Sequence, residues 1–245
     1  MSDESASAPI ETRAPVPDYA ESLRLVAEAE PSRPFVVAQL GQSLDGRIAL
    51  PNGESRWINK GAALDHLHRL RAAVDVVVVG IGTALADDPM LNVRRVTGRN
   101  PARVVIDPRG RLPGSAKLLN QDGAETAVVT TAQAVTPPGV TRIVLERSGG
   151  SFAPPAVVAA LFARGWRRIL LEGGAQTVSS FIDADAVDRL HVLVAPLLLG
   201  TGTTGLTLAP VTRIDEARRP PTRVHVLGDG DVLFDCDLRS SRGAA

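Results

Sequence analysis

The sequence predicts an α/β protein with a mostly parallel, buried central sheet and a C-terminal antiparallel hairpin. Three observations predict it. Apolar β-branched runs such as Val74-Asp-Val-Val-Val-Val79 do not alternate with polar residues, as expected of strands covered on both faces. Strand patterns alternate with helical ones along most of the chain. Near the end, Gly228-Asp-Gly230 separates two short strand patterns, the signature of a hairpin.

The elements follow in order. Residues 1–17 are rich in Ser, Ala, Glu and Pro, a disordered composition. Asp18 is a candidate N-cap for a short helix over 18–30, which Pro31 and Pro34 close. The globular domain is expected from Arg33, giving an extension over 1–32 and one domain over 33–240. Phe35–Leu40 reads as a strand and Ala62–Ala73 as a helix with Leu64, Leu67 and Leu70 on its apolar side. Further strands are expected at Asp75–Val79, Arg103–Asp107, Thr126–Thr130, Arg142–Leu145, Arg168–Leu171 and Leu190–Ala195. Helices are expected at Pro155–Arg164 and Thr177–Asp183. Thr222–Leu227 and Val232–Leu238 form the hairpin.

Composition narrows the function classes. Apolar residues make up 44% and aromatic ones only 3%, which favours an aliphatic core. Lys plus Arg and Asp plus Glu both number 27, so the basic stripe of a nucleic-acid-binding protein is not expected. Any phosphate site must rest on a few placed groups. Cys236 is the single cysteine, and no Cys/His spacing suits zinc, so no metal is expected. The polar N-terminus has no apolar leader core and no run is long enough to span a bilayer. The expectation is a soluble cytoplasmic protein without a membrane or nucleic-acid partner.

Two segments carry the chemistry. Gly80-Ile-Gly-Thr-Ala-Leu-Ala-Asp-Asp-Pro89, followed by Met-Leu-Asn-Val-Arg94, leaves the buried strand at 75–79 and reads as a Gly-rich turn at a strand's carboxyl end. Ligands of open α/β sheets sit there. Glu172-Gly-Gly-Ala-Gln-Thr-Val-Ser-Ser180 follows the next apolar strand and opens a helix. Free N–H groups at a helix start favour a cofactor phosphate. An ordinary tight turn, with Glu172 as a capping acid, is the competing reading for this segment alone. Neither a Gly-x-Gly-x-x-Gly nor a Gly-x4-Gly-Lys-Ser/Thr fingerprint is present, which excludes a standard dinucleotide fold and a P-loop.

Arg71 falls on the buried stripe of its helix, at i+7 from Leu64, and a buried guanidinium needs an anion. It either holds a ligand phosphate together with Arg94 or Arg95, or complements the helix C-terminus and pairs with Asp75. Asp87 and Asp88 are caps or ligand contacts. Trp57 either stacks on a nucleotide ring or belongs to the core. His66 and His68 lie two apart on a helix, do not share a face, and are expected at the surface or an edge.

Several ordered motifs resemble one family: Ser43-Leu-Asp-Gly-Arg-Ile-Ala49, Leu70-Arg-Ala72, Gly82-Thr-Ala-Leu-Ala-Asp-Asp-Pro89, Leu91-Asn-Val-Arg94, Val104-Val-Ile-Asp107, Leu171-Glu-Gly-Gly174 and Ala195-Pro-Leu-Leu-Leu-Gly200. Together they resemble the reductase domain of bacterial riboflavin biosynthesis over about residues 33–238, without the zinc deaminase half to which it is usually fused. The resemblance implies a dihydrofolate-reductase-like three-layer fold, NADPH as cofactor, a homodimer, and reduction of the ribosyl group of a ribosylamino-pyrimidinedione 5′-phosphate. It places cofactor contacts on Gly41, Trp57, Thr83, Asp87, Gly174, Ala175, Gln176, Thr177, Val178, Ser179 and Ser180. It places substrate contacts on Ser55, Arg71, Leu91, Arg94 and Glu172. Glu172 is the best catalytic candidate. Two positions depart from the family: Gln39 stands where a lysine is usual, and Asn59-Lys60 where Thr-Ser or Thr-Gly is common. A reductase of another heterocycle, pterin-like or aminopyrimidine, and a non-catalytic nucleotide-binding protein are the alternatives.

Overall fold

The computed structural model describes residues 19–147 and 149–239. Its strands are β1 (Phe35–Ser43), β2 (Arg47–Ala49), β3 (Val76–Gly80), β4 (Ala102–Ile106), β5 (Thr126–Thr130), β6 (Thr141–Val144), β7 (Arg168–Glu172), β8 (Arg189–Ala195), β9 (Thr203–Thr204), β10 (Thr222–Val226) and β11 (Val232–Asp237). The helices are α1 (Ala20–Ala27), α2 (Gly61–Ala73), α3 (Ile81–Asp87), α4 (Pro154–Ala163) and α5 (Ala175–Asp183). Nine strands form one sheet in the order β10-β11-β8-β1-β7-β3-β4-β5-β6, and β2 pairs with β9 separately. From β8 to β6 every neighbouring pair is parallel. The expected C-terminal hairpin adds β11 antiparallel to β8 and β10 antiparallel to β11.

Both faces of this sheet are covered, which explains the unbroken apolar runs. Val36, Ala38, Val76, Val78, Val104 and Leu171 pack under α4 and α5, with Leu161 and Phe181. Val37, Val77, Val79, Val105 and Leu170 point the other way, toward Leu70 of α2, Val74 just after it and Val26 of α1. Each fully buried Val or Leu contributes about 1.5–3 kcal/mol. Successive residues of one strand feed different layers, so each strand must be apolar throughout.

The N-terminal helix is shorter than expected, and the Asp18 cap and residues 1–17 lie outside the described residues. It is part of the packed body: Val26 and Ser22 are fully buried. β2 and β9, three and two residues long, had no sequence signal.

The segment after β3 corrects the expected Gly-rich turn. Gly80 is an extended N-cap, and the chain enters α3 directly. The Thr-Ala-Leu-Ala run forms helix, and the reversal comes later, at Asp88 (φ 41°) and Leu91 (φ 53°). Asp88 is the left-handed C-cap, and its carboxylate accepts the Lys117 N–H at 2.8 Å.

α2 has no capping side chain of its own. The hairpin supplies two instead. Asp229 accepts the Ala62 N–H at 2.8 Å, and Asp231 accepts the Lys60 N–H at 2.8 Å. A carboxylate at a helix N-terminus satisfies an orphan donor and complements the dipole. The C-terminal hairpin therefore fixes the helix that carries Arg71.

Candidate active site

A cleft of about 910 Å³ opens at the carboxyl ends of β3, β4 and β7, at the upper end of the ~300–1,000 Å³ usual for small-molecule pockets. Thr83 and Asp87 of α3, Ser55, and Gly174, Ala175, Gln176, Thr177 and Ser180 at the start of α5 all line it. The structure brings these eight residues to one place, seven of them expected at the cofactor and Ser55 at the substrate. The two helix starts press together. A Cβ on Gly174 (φ 70°) would lie 2.6 Å from Thr83 Oγ1, and one on Gly80 would lie 2.4 Å from Thr177 Oγ1. These glycines serve helix-to-helix contact. Gly82 differs: nothing lies within 4 Å of its Cβ position, and it borders the cleft.

A second cluster stands on the α2 side of the sheet. Arg71 donates from Nε to Glu172 Oε2 at 2.9 Å, from its second terminal nitrogen to Oε1, and from the third nitrogen to the Asn92 carbonyl at 3.0 Å. Their side chains are 5% and 12% exposed. Arg71 is thus committed to Glu172, which corrects the expectation of two free arginines clamping one phosphate. Its structural alternative holds in part: Arg71 does stand in the last turn of α2, but Asp75 pairs with Arg168 and Arg99 instead. Arg94 is freer: it donates to the neighbouring Asn92 side chain at 2.9 Å and has no carboxylate partner among the described residues. The Arg94 N–H donates to His68 Nδ1 at 3.1 Å.

The two clusters adjoin. Burial pushes the Asp87 carboxyl above its ordinary value, the Arg56 charge and a Ser55 hydrogen bond oppose this, and Glu172 adds to the rise. Glu172 ends β7 two residues before Gly174, which lines the cleft, so cleft and cluster meet at that strand end.

The histidine expectation is overturned. His66 and His68 are both buried. His66 Nε2 lies 3.1 Å from His191 Nδ1. Burial and the Arg71, Arg94 and Arg95 charges depress His68 to about 4. The sheet explains this polarity beneath a helix. Asp235, His191, Gln39 and Glu172 occupy matched positions on β11, β8, β1 and β7, forming a polar row across the face that α2 covers. Gln39 is only 5% exposed.

Other expected contacts fall elsewhere. Leu91 and Val178 are core residues, and buried Ser179 accepts the Thr207 N–H at 2.9 Å. None of their side chains faces the cleft. A Cβ on Gly41 would meet the Asn59 side chain at 2.0 Å, so that strand end is covered. Trp57 is 80% exposed with φ 72°, so it is not core, and it does not line the cleft. Among the described residues no group of three or more His, Cys, Asp or Glu could hold a metal, and no helix could cross a membrane.

The RibD C-terminal domain model matches residues 34–224. The chain belongs to the RibD C-terminal domain family. The riboflavin biosynthesis protein RibD of Aquifex aeolicus is 32% identical over 209 residues, 82% of this chain and 57% of that protein. The chain thus spans little more than half of that relative. A 2,5-diamino-6-ribosylamino-4(3H)-pyrimidinone 5′-phosphate reductase of Methanothermobacter thermautotrophicus is 35% identical over 219 residues, covering 84% of this chain and 99% of the other. A solved deaminase/5-amino-6-(5-phosphoribosylamino)uracil reductase of Thermotoga maritima superposes with a TM-score of 0.73 at 27% identity, over 84% of this chain and 57% of that one. RibD C-terminal domain membership agrees with the resemblance read from the ordered motifs.

The sequence reading missed some cleft residues. Arg109, Arg111 and Phe152 line the cleft. The two arginines flank Gly110 at the end of β4, and an Arg-Gly-Arg at a strand's carboxyl end was the available signal. Nothing in the sequence marked Phe152.

Proposed function

We propose that this chain is an NADPH-dependent reductase that converts the ribosyl group of a ribosylamino-pyrimidine 5′-phosphate to ribityl, a step of riboflavin biosynthesis. The observation that carries the reading is the adjacency of the two clusters. A large cleft floored by the α3 and α5 starts meets, at the end of β7 where Glu172 precedes Gly174, a cluster with one uncommitted arginine. The relative that matches over nearly its whole length is named for a ribosylamino-pyrimidinone phosphate reductase.

The cleft fits a dinucleotide: its volume suffices, the Gly82 Cβ position is open, and the α5 start offers N–H groups for a phosphate. Bound there, the cofactor supplies hydride, and the protein supplies orientation and electrostatics. Arg94 holds the substrate 5′-phosphate. Arg71 fixes the Glu172 carboxylate so that it accepts hydrogen bonds from the sugar or base. The substrate carbon that gains hydride is C1′ of an open-chain imine, whose nitrogen takes a proton from water or from Asp87, the carboxyl that burial holds protonated to higher pH.

The same reading makes 33–240 the reductase domain with α1 as its seal, and the protein a cytoplasmic homodimer. Exposed Val224 and Val226 on edge strand β10 support self-association. Gln39 favours one alternative. A buried neutral amide in place of the family lysine suits a different heterocycle, pterin-like or aminopyrimidine.

Steady-state oxidation of NADPH tests the proposal. With the ribosylamino-pyrimidine 5′-phosphates as substrates, turnover is expected, and Arg94→Ala is expected to raise KM about 10- to 100-fold with kcat little changed. Turnover indifferent to the phosphate would refute the Arg94 role. No turnover with either pyrimidine would refute the function.

A further inference from the structure

We propose that His68 is a positioning residue for the substrate phosphate: the lone pair on its Nδ1 accepts the Arg94 N–H and so holds the Arg94 guanidinium where the phosphate binds. The inference rests on reading Arg94 as the phosphate ligand. It adds what fixes that arginine in place.

Arg94 follows the left-handed Leu91 on a stretch without regular secondary structure. A side chain on such a stretch is aimed less sharply than one on a helix. Here α2 lends its rigidity. Asp65, His68 and Arg71 are spaced three apart, so they line one side of that helix. They engage residues 95, 94 and 92 in turn. Asp65 accepts from Arg95 Nε at 2.7 Å, His68 Nδ1 accepts the Arg94 N–H at 3.1 Å, and Arg71 donates to the Asn92 carbonyl at 3.0 Å. The segment thus runs antiparallel to α2. Asn100 accepts the Val93 N–H at 2.7 Å.

Of these contacts, only the one from His68 holds the backbone of Arg94 itself. The Arg95–Asp65 pair is exposed, and exposed pairs hold a chain weakly. His68 is buried, and removing a buried acceptor leaves the donor unsatisfied. The segment must then shift until water or another acceptor reaches the Arg94 N–H, and the guanidinium shifts with it.

The ring must be in one form. Nδ1 accepts only while it carries no proton, so the proton of the neutral ring sits on Nε2. Burial and the Arg71, Arg94 and Arg95 charges keep the ring neutral, against the pull of Asp65. A neutral ring brings no charge to the phosphate. Attraction comes from Arg94, and His68 contributes geometry. Its loss therefore acts on binding of the phosphate and leaves hydride transfer alone.

The test is steady-state kinetics of the full chain and of His68→Leu, His68→Gln and His68→Asn. The substrates are the ribosylamino-pyrimidine 5′-phosphate and its dephosphorylated nucleoside. An asparagine amide oxygen reaches the place of Nδ1, a glutamine one reaches that of Nε2, and leucine has no acceptor. Leucine and glutamine are expected to raise KM for the phosphate about tenfold, with kcat and the kcat/KM of the nucleoside within about twofold. Asparagine is expected to stay within about threefold of the wild-type KM. His68→Leu added to Arg94→Ala should cost nothing further. Melting curves identify the folded variants, and the glutamine–asparagine comparison stands if leucine does not fold. Equal losses on both substrates, a fall in kcat, or glutamine matching asparagine would overturn the proposal. A KM raised by Arg94→Ala but not by His68→Leu would overturn the His68 role alone. A KM for the phosphate that Arg94→Ala leaves unchanged would remove Arg94 as its ligand and this inference with it.

Discussion

Replacing Arg71 with methionine removes one half of the Arg71–Glu172 pair and leaves the other in place. The carboxylate, 12% exposed in the intact pair, then loses its bidentate partner, and the Asn92 carbonyl loses the donor that lay 3.0 Å away. Breaking a buried pair by removing one partner costs about 3–5 kcal/mol. For a chain of this length each kcal/mol lowers Tm by about 2–4 °C, so the expected fall is roughly 6–20 °C. Glu172→Gln should cost less, because its amide oxygen can still accept from Arg71. The double variant Arg71→Met/Glu172→Gln should recover part of the loss, because no uncompensated charge remains. Urea unfolding of the four proteins closes the cycle. A coupling of about 1–3 kcal/mol is expected between groups in such contact. Additivity within about 0.5 kcal/mol, or a loss below about 1 kcal/mol for Arg71→Met, would refute the claim that Glu172 depends on Arg71.

Other predictions follow from single contacts. Gly82→Val fills an empty position on the cleft wall and should weaken nucleotide binding about tenfold or more while the fold survives, checked by titration beside a melting curve. His68 is held near 4 when folded, against an ordinary 6.5. The unfolded chain therefore binds more protons between those values, and its contribution to stability, complete above pH 6.5, is lost as pH falls through about 4. His68→Asn keeps an acceptor for the Arg94 N–H and should flatten the drop in the urea midpoint between pH 7 and pH 4.5; an unchanged slope would exclude His68 as a source. Asp229→Ala removes the cap on Ala62 and should cost about 1 kcal/mol, seen in the same unfolding assay.

The sheet was legible because its strands are apolar on both faces, and a covered parallel strand has few other readings. The start of α5 was legible because Gly173-Gly174 follows directly on a buried strand. The α2 face was not. Histidine on a helix reads as polar, and the partner that buries His66 is His191, 125 residues away, brought there by strand register. Arg71 was correctly marked as buried and needing an anion, yet its partner, Glu172, is 101 residues distant and had been assigned its own ligand. The β3–α3 passage misled because glycines suggest a loop, whereas Gly80 serves as a helix cap against Thr177. Leu91 and Val178 came with their motifs, and a motif does not separate packing residues from contact residues.

Hydride delivery to the sugar is the central claim, and isotopic transfer tests it most directly. The protein would be given NADPH carrying deuterium at the transferable position, with the ribosylamino-pyrimidine 5′-phosphate as substrate, and the product examined by mass and NMR. One deuterium at C1′ of a ribityl product is the predicted result. Oxidation of the cofactor with no deuterium at C1′, or no product at all, would contradict the account.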